Sequence, residues 1–240
     1  MTRKKQNQKQ KQKKLVDANQ TKIVSNIYRV KRQNTICLGM IVKNESKVIE
    51  RCLNSVAPLI DYWVISDTGS TDGTQDIIKN FFKKLNIPGE LHEDPWINFG
   101  HNRTNYMKYA KDKTDYLITL DADEIFVYDS NFEIPKLAHD HYNIMTVYGD
   151  IKYIRCQLFN NKLAWVWEGV LHEYPTLDKS VRESICLTSS NLEGIINRPS
   201  PEGARSSDPN KYKRDALVFE TDLLNDPNNA RTVFYLAYFI

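Results

Sequence analysis

Lys43-Asn44-Glu45, Asp67 to Asp72 and Asp121-Ala122-Asp123 each follow an apolar run of strand length. Carboxylates spaced like Asp121 and Asp123 can share a hard cation and leave coordination positions open for phosphate oxygens. Mg2+ and Mn2+ suit oxygen donors of this kind. Three acidic clusters on one rim repel each other, and a divalent cation relieves that repulsion. The stretch Asp67-Thr68-Gly69-Ser70-Thr71-Asp72-Gly73-Thr74 is rich in turn formers. Its plain reading is a strand-to-helix connection. Its chemical reading is a small-residue loop that a nucleotide can approach closely, with Asp67 accepting from base or ribose. The Asp-x-Asp has its own plain reading, a solvated acidic turn, because the pattern arises about once by chance in a chain of this size. Its place directly behind an apolar strand speaks for the metal reading. A Gly-Lys-Ser/Thr phosphate loop and a Gly-x-Gly-x-x-Gly run are both absent from the sequence, which weighs against ATP hydrolysis and dinucleotide binding.

The elements that would carry these clusters alternate. ICLGMIV (36–42), YWVIS (62–66), ELHED (90–94) and DYLITL (115–120) read as strands, the first two as buried on both faces. Residues 45–56, 73–85 and 99–111 show helical spacing. Such alternation predicts an α/β fold, a mainly parallel sheet with helices on both faces. Ligands then bind beyond the carboxyl ends of the strands, where the three clusters lie. Residues 142–148 and 153–160 read as strands joined through Gly149-Asp150, an antiparallel addition. WVWEGVLHEY (165–174) follows, then a strand-like patch at 184–188 and a loop over 194–210. Helical spacing returns over 212–225 and 230–240, around the turn Asp226-Pro227-Asn228-Asn229. The expected organisation is therefore a disordered basic tail and lead-in (1–34), a catalytic domain (35–209) and a helical hairpin (210–240).

The 240 residues include 33 Lys or Arg and 30 Asp or Glu, a formal net charge of +3. Residues 1–33 hold 11 of the basic groups against one acid, Asp17, and the remaining 207 hold 22 basic and 29 acidic groups. The basicity belongs to the tail, so the body is no nucleic-acid-binding face. No apolar run reaches the roughly 20 residues of a membrane span, and the Lys/Gln-rich start is unlike a secretory signal. These features fit a soluble, cytoplasmic protein without a transmembrane segment. Cys37, Cys52, Cys156 and Cys186 are too scattered for a zinc site and are expected reduced and buried.

LGMIVKNESKVIERCLNSVA (38–57), YWVISDTGSTDGTQD (62–76), LITLDADEIF (117–126) and WEGVLHEY (167–174), taken in order, resemble the family 2 glycosyltransferases of GT-A fold. The resemblance is to the branch whose catalytic domain precedes tetratricopeptide-like helices, which KRDALVFETDLLNDPNNARTVFYLAYF resembles in turn. It implies an inverting, metal-dependent transfer of a sugar from a nucleotide-diphosphate donor, UDP first among the candidates, to a sugar, glycan or protein acceptor. It implies donor-binding roles for Val42, Asn44, Glu45, Asp67, Arg103, Asp121 and Ala122. Asp123 and His172 would be ligands of Mn2+ or Mg2+. Glu173 is the implied general base, with Glu168 its rival, and Trp165 and Trp167 would serve either as sugar platforms or as core. Two other readings stay open, a nucleotidyltransferase and a helical-repeat interaction protein carrying an inactive transferase domain.

Overall fold

The computed structural model describes residues 29–206 and 208–239. β1 (Ile36–Val42), β2 (Tyr62–Asp67), β3 (Gly89–Glu93) and β4 (Tyr116–Thr119) are the four segments read as strands, with β3 the polar one at the sheet edge. They lie side by side in the order β3-β2-β1-β4, every pair parallel. Parallel strands inside a sheet are covered on both faces, so their sequences run continuously apolar. α1 (Ile49–Val56) and α2 (Thr74–Leu85) cover one face, where Leu53, Ile78 and Phe82 join Leu38, Met40 and Ile65 in a common core. α3 (Phe99–Ala110) covers the other, packing Tyr106, Met107 and Ala110 on Cys37, Val64 and Leu117. Gly39 makes that approach feasible, since a Cβ there would fall 2.6 Å from the Tyr106 ring.

The sheet continues past β4 with β5 (Glu124–Tyr128), β6 (His141–Tyr148), β7 (Ile151–Asn160) and β10 (Ser189–Pro199), in the order β4-β7-β6-β10-β5. All these pairings are antiparallel except β6 with β10. β8 (Trp165–Glu168) and β9 (Tyr174–Leu177) form a separate antiparallel ribbon. The single turn α4 (Lys179–Arg182) follows it, and α5 (Lys211–Asn225) with α6 (Ala230–Phe239) closes the chain as a hairpin. The α/β architecture expected from the sequence, a mainly parallel sheet with antiparallel additions and a C-terminal helical hairpin, is the one present.

Four local expectations need correction. The strand-like patch at 184–188 is no strand, and the loop read from 194 is half of β10, which runs from 189 to 199. Its apolar signal is sparse because β6 and β5 flank it and a register shift between Asn191 and Ile196 breaks the alternation. The lead-in at 29–34 is fastened down. Val30 is buried, and Arg32 Nη2 meets Asp61 Oδ1 at 2.6 Å while Asp61 Oδ2 accepts from the Ile36 amide at 3.0 Å. The expected disorder of residues 1–28 lies outside the described residues. Cys37 and Cys52 are buried and all four cysteines are free, but Cys156 is only partly buried and Cys186 is exposed.

Candidate active site

The strand ends place the acidic clusters on one rim, and hydrogen bonds between loops fix their shape. Asn44, with a left-handed φ of +57°, donates its amide to Ser70 Oγ and accepts from the Thr71 amide through Oδ1, both at 2.8 Å. The Glu45 amide donates to Thr74 Oγ1 at 2.8 Å, and the Ser46 amide to Asp72 Oδ2 at 3.0 Å. Burial alone would raise the Asp72 carboxyl, but the bonds from Ser46 and Thr74 outweigh it and hold the group at about 2. The Val42 carbonyl accepts from the Thr68 amide at 2.9 Å, joining the first cluster's strand to the second cluster. Asp67 is buried. Its Oδ1 accepts from the amides of Gly69 at 2.9 Å and Ser70 at 2.7 Å, and its buried Oδ2 has no hydrogen-bond partner among the described residues. A buried carboxylate oxygen left in that state costs free energy, which a donor hydrogen from a ligand would recover.

The Asp-x-Asp turn closes on itself. Glu124 donates its amide to the Asp121 carbonyl at 3.0 Å, and its Oε2 accepts from the Asp121 amide at 3.2 Å. That leaves Ala122 buried and Asp123 partly exposed. Arg103 reaches this turn from the first half of α3, whose N-terminus is capped by Asn98 Oδ1 accepting from His101 N at 2.8 Å. Thr104 Oγ1 accepts from the Trp167 amide at 2.9 Å, and Gly100 packs so closely on the Gly169 carbonyl that a Cβ would fall 2.3 Å from it. α3 is thus stitched to the segment bearing Glu173. The guanidinium of Arg103 joins the two. Its Nη2 donates to Asp121 Oδ1 at 2.7 Å and its Nε to Glu173 Oε1 at 2.6 Å, with the Trp167 ring 5.2 Å from its centre. Burial disfavours this charge, yet Asp121 and Glu173 hold the arginine firmly protonated. Burial also opposes ionisation of Asp121, but Arg103 and Arg155 outweigh it and hold its carboxyl below the usual range.

Asp123 and Glu45 lack such compensation. Burial raises the Asp123 carboxyl and the Asp121 charge raises it further. Glu45 is pushed up to about 7, by burial first and then by Asp123, Asp121 and Asp72, against one bond from the Ala204 amide at 3.2 Å. The loop after β10 lies over both groups: the Ser200 amide donates to the Asp123 carbonyl at 2.9 Å, and a Cβ on Gly203 would fall 2.7 Å from Asp123 Oδ2. Uncompensated carboxylates at a strand end fit a hard divalent cation. Among the described residues no three His, Cys, Asp or Glu side chains could hold a metal ion by themselves. The donor set therefore fits Mg2+ or Mn2+ held by one or two protein groups and completed by phosphate oxygens and water.

The other expected residues divide. Glu173 is drawn to Asp121 through Arg103, whereas Glu168 is occupied elsewhere, ion-paired to Arg182 and accepting from the Tyr174 hydroxyl at 2.7 Å. The ring of His172 stacks on Tyr235 at 4.5 Å and on Phe219 at 6.2 Å. Trp165 is core, packed edge-on against Phe159 and donating Nε1 to the Asn160 carbonyl at 3.0 Å. Trp167 faces Arg103. Sequence reasoning missed Arg155 on β7, which pairs with the buried Glu124 and stands 3.7 Å from Asp121 Oδ2. No local pattern marks it, because the same strand also carries Lys152 and Gln157 and its N-terminal half is exposed.

The family model described as Glycosyl transferase family 2 matches residues 37–189. The chain belongs to that family. The SPbeta prophage-derived glycosyltransferase SunS of Bacillus subtilis is 38% identical over 219 residues, 85% of this chain and 48% of its own length. The present chain thus spans about half of that relative. Among solved structures, S. aureus TarS 1-349 aligns at a TM-score of 0.49 with 16% identity, covering 85% of this chain and 70% of that one. The mannosyltransferase PcManGT from Pyrobaculum calidifontis, solved with GDP-Man and Mn2+, aligns at 0.49 with 12% identity, covering 87% and 71%. No described helix is long and apolar enough to cross a membrane.

Proposed function

We propose that the protein transfers a sugar from a nucleotide-diphosphate donor, a UDP-sugar first among the candidates, to an acceptor nucleophile with inversion at the anomeric carbon. The carrying observation is the guanidinium of Arg103, bonded at once to Asp121 and to Glu173. It couples the donor side of the rim to a carboxylate that can serve the acceptor. Asp67 takes the nucleoside through its buried oxygen, and the backbone cradle of Val42, Asn44 and Glu45 supports the loop it sits on. Asp121 and Ala122 border the ribose and sugar. Asp123, with His172 as the second protein ligand, would hold Mn2+ or Mg2+. A bound cation there supplies neutralisation of the charge on the departing diphosphate. Glu173 Oε1 is taken by Arg103, and Oε2 receives the acceptor's proton as the acceptor attacks. The bond from the anomeric carbon to the diphosphate oxygen breaks as the new bond forms on the opposite face, through an oxocarbenium-like transition state.

The test compares Glu173→Gln with Glu168→Gln, assayed by UDP release from UDP-glucose and UDP-N-acetylglucosamine with Mn2+. Glu173→Gln should lower turnover by about two to four powers of ten, with donor KM little changed because the lost contact matters in the transition state. Glu168→Gln should be milder. The reverse ranking, with donor binding intact in both, transfers the role to Glu168.

A further inference from the structure

The segment carrying Glu173 is gripped by a part of the chain that lies outside the family match. His172 has a φ of +52°, a left-handed backbone that residues other than glycine seldom adopt and that persists only where the surroundings impose it. α6 supplies the surroundings. Arg231 Nη2 donates to the His172 carbonyl at 2.5 Å. The same guanidinium lies 4.6 Å from the centre of the Tyr174 ring and 5.1 Å from that of Tyr235. Tyr235 stacks on His172 and, at 5.9 Å, on Phe219 of α5. The hairpin is itself braced, since Thr232 Oγ1 donates to Asp222 Oδ2 at 2.7 Å. It is also tied to the loop over the acidic rim through Arg205 and Asp215 at 2.5 Å. Both chain neighbours of Glu173 are therefore held by one arginine, while Arg103 holds the Glu173 carboxylate from the opposite side. A planar guanidinium can donate in its plane and stack through its faces at the same time, which a lysine ammonium cannot.

We propose that Arg231 is a positioning residue for Glu173, fixing the His172–Glu173 peptide so that the carboxylate stays aligned between Arg103 and the acceptor. The inference rests on Glu173 acting as the base, as proposed above. It makes the α5–α6 hairpin a working part of the site. Arg231 is exposed, so its replacement leaves the core untouched.

The experiment uses the full chain with Arg231→Ala, Arg231→Lys, Glu173→Gln and the double variant Arg231→Ala/Glu173→Gln. UDP release from UDP-glucose and UDP-N-acetylglucosamine is measured with Mn2+, beside hydrogen exchange of the amides at 170–174. Arg231→Ala should lower kcat by about ten- to a hundredfold, the effect of a small misplacement at the reacting centre, with donor KM within about twofold. Arg231→Lys should recover only part of the loss. In the Glu173→Gln background the alanine should cost nothing further, because the two residues act as a unit. A merely structural arginine would give additive losses, and that result overturns the proposal. Exchange at 170–174 should quicken in Arg231→Ala, and unchanged exchange overturns the proposal whatever the turnover. Full turnover in Glu173→Gln alone would instead refute the base assignment, a result separate from whether Arg231 grips the segment.

Discussion

Replacing Arg103 by methionine keeps the apolar stem and removes the fork that holds Asp121 and Glu173. The side chains of Arg103 and Glu173 are 8% and 10% exposed, and that of Asp121 is 31% exposed. Breaking a fully buried ion pair from one side costs about 3–5 kcal/mol. Asp121 is nearer to water and has Arg155 at 3.7 Å as a second partner, so its share shrinks and a total of about 2–4 kcal/mol is expected. For a chain of this length that lowers Tm by about 5–12 °C. The loss should depend on pH with a definite sign. Arg103 holds the folded Asp121 carboxyl below its unfolded value. That contribution is fully present above the unfolded pKa of about 3.9 and disappears as pH falls through the folded one. The gap between wild type and Arg103→Met should therefore be full at pH 7 and narrow toward pH 3. Urea unfolding at a series of pH values measures it directly. Arg103→Lys should recover less than half, because a single ammonium cannot fork between two carboxylates. A gap under about 1 kcal/mol at pH 7 would show that the bridge contributes no more than a surface pair. A large gap that ignores pH would show that packing, not charge, makes Arg103 matter.

Asp123→Asn should weaken Mn2+-dependent UDP binding by at least about tenfold, followed by calorimetry, while Tm without metal holds or rises because a disfavoured charge has gone; unchanged affinity would remove Asp123 from the metal site. Glu45 is raised to about 7 in the folded chain, so the native state keeps a proton that the unfolded state releases, and stability should fall as pH rises from about 4.5 to about 7. Glu45→Gln should flatten that slope in thermal melts, and a slope that survives the substitution would place its origin elsewhere. A chain beginning at Arg29 should melt like the whole protein. One beginning at Thr35 loses the burial of Val30, about 1.5–3 kcal/mol, and the Arg32–Asp61 pair, and should melt at least about 5 °C lower; equal melting of the two would show that the lead-in contributes nothing.

What could be read from the sequence follows from how each element is stabilised. β1, β2 and β4 are buried on both faces, so their residues are apolar almost to the last position and their ends are sharp, which makes the strand-end positions of Asp67 and Asp121 legible in the sequence. β10 is different. It is held by backbone bonds to two neighbours and needs few apolar side chains of its own, so Ser189 to Pro199 resembles a loop. Arg103 could be found because its helix precedes the Asp-x-Asp strand in the family pattern. Arg155 could not, because its meaning depends on Glu124 and Asp121, more than thirty residues away and known to be buried only once the strands are paired.

The same argument explains why His172 looked simpler in the sequence than in the fold. A histidine beside a glutamate, late in a transferase-like chain, suggests a ligand beside a base. Periodicity then records that α6 has an apolar face, but not what that face covers. In the folded chain it covers the His172 ring through Tyr235, and Arg231 from the same helix binds the peptide just before Glu173. A helix that sequence patterning assigned to an appendage is thus in direct contact with both chain neighbours of the residue expected to do the chemistry. The two assignments of His172, metal ligand and packing partner of the hairpin, make opposite demands on its ring. Tyr235→Leu separates them: it removes the nearer stacked ring and leaves Phe219 in place, so Mn2+-dependent UDP binding should hold or strengthen if ligation is the ring's task, and weaken together with the order of residues 170–175 if the stack is what keeps the site assembled.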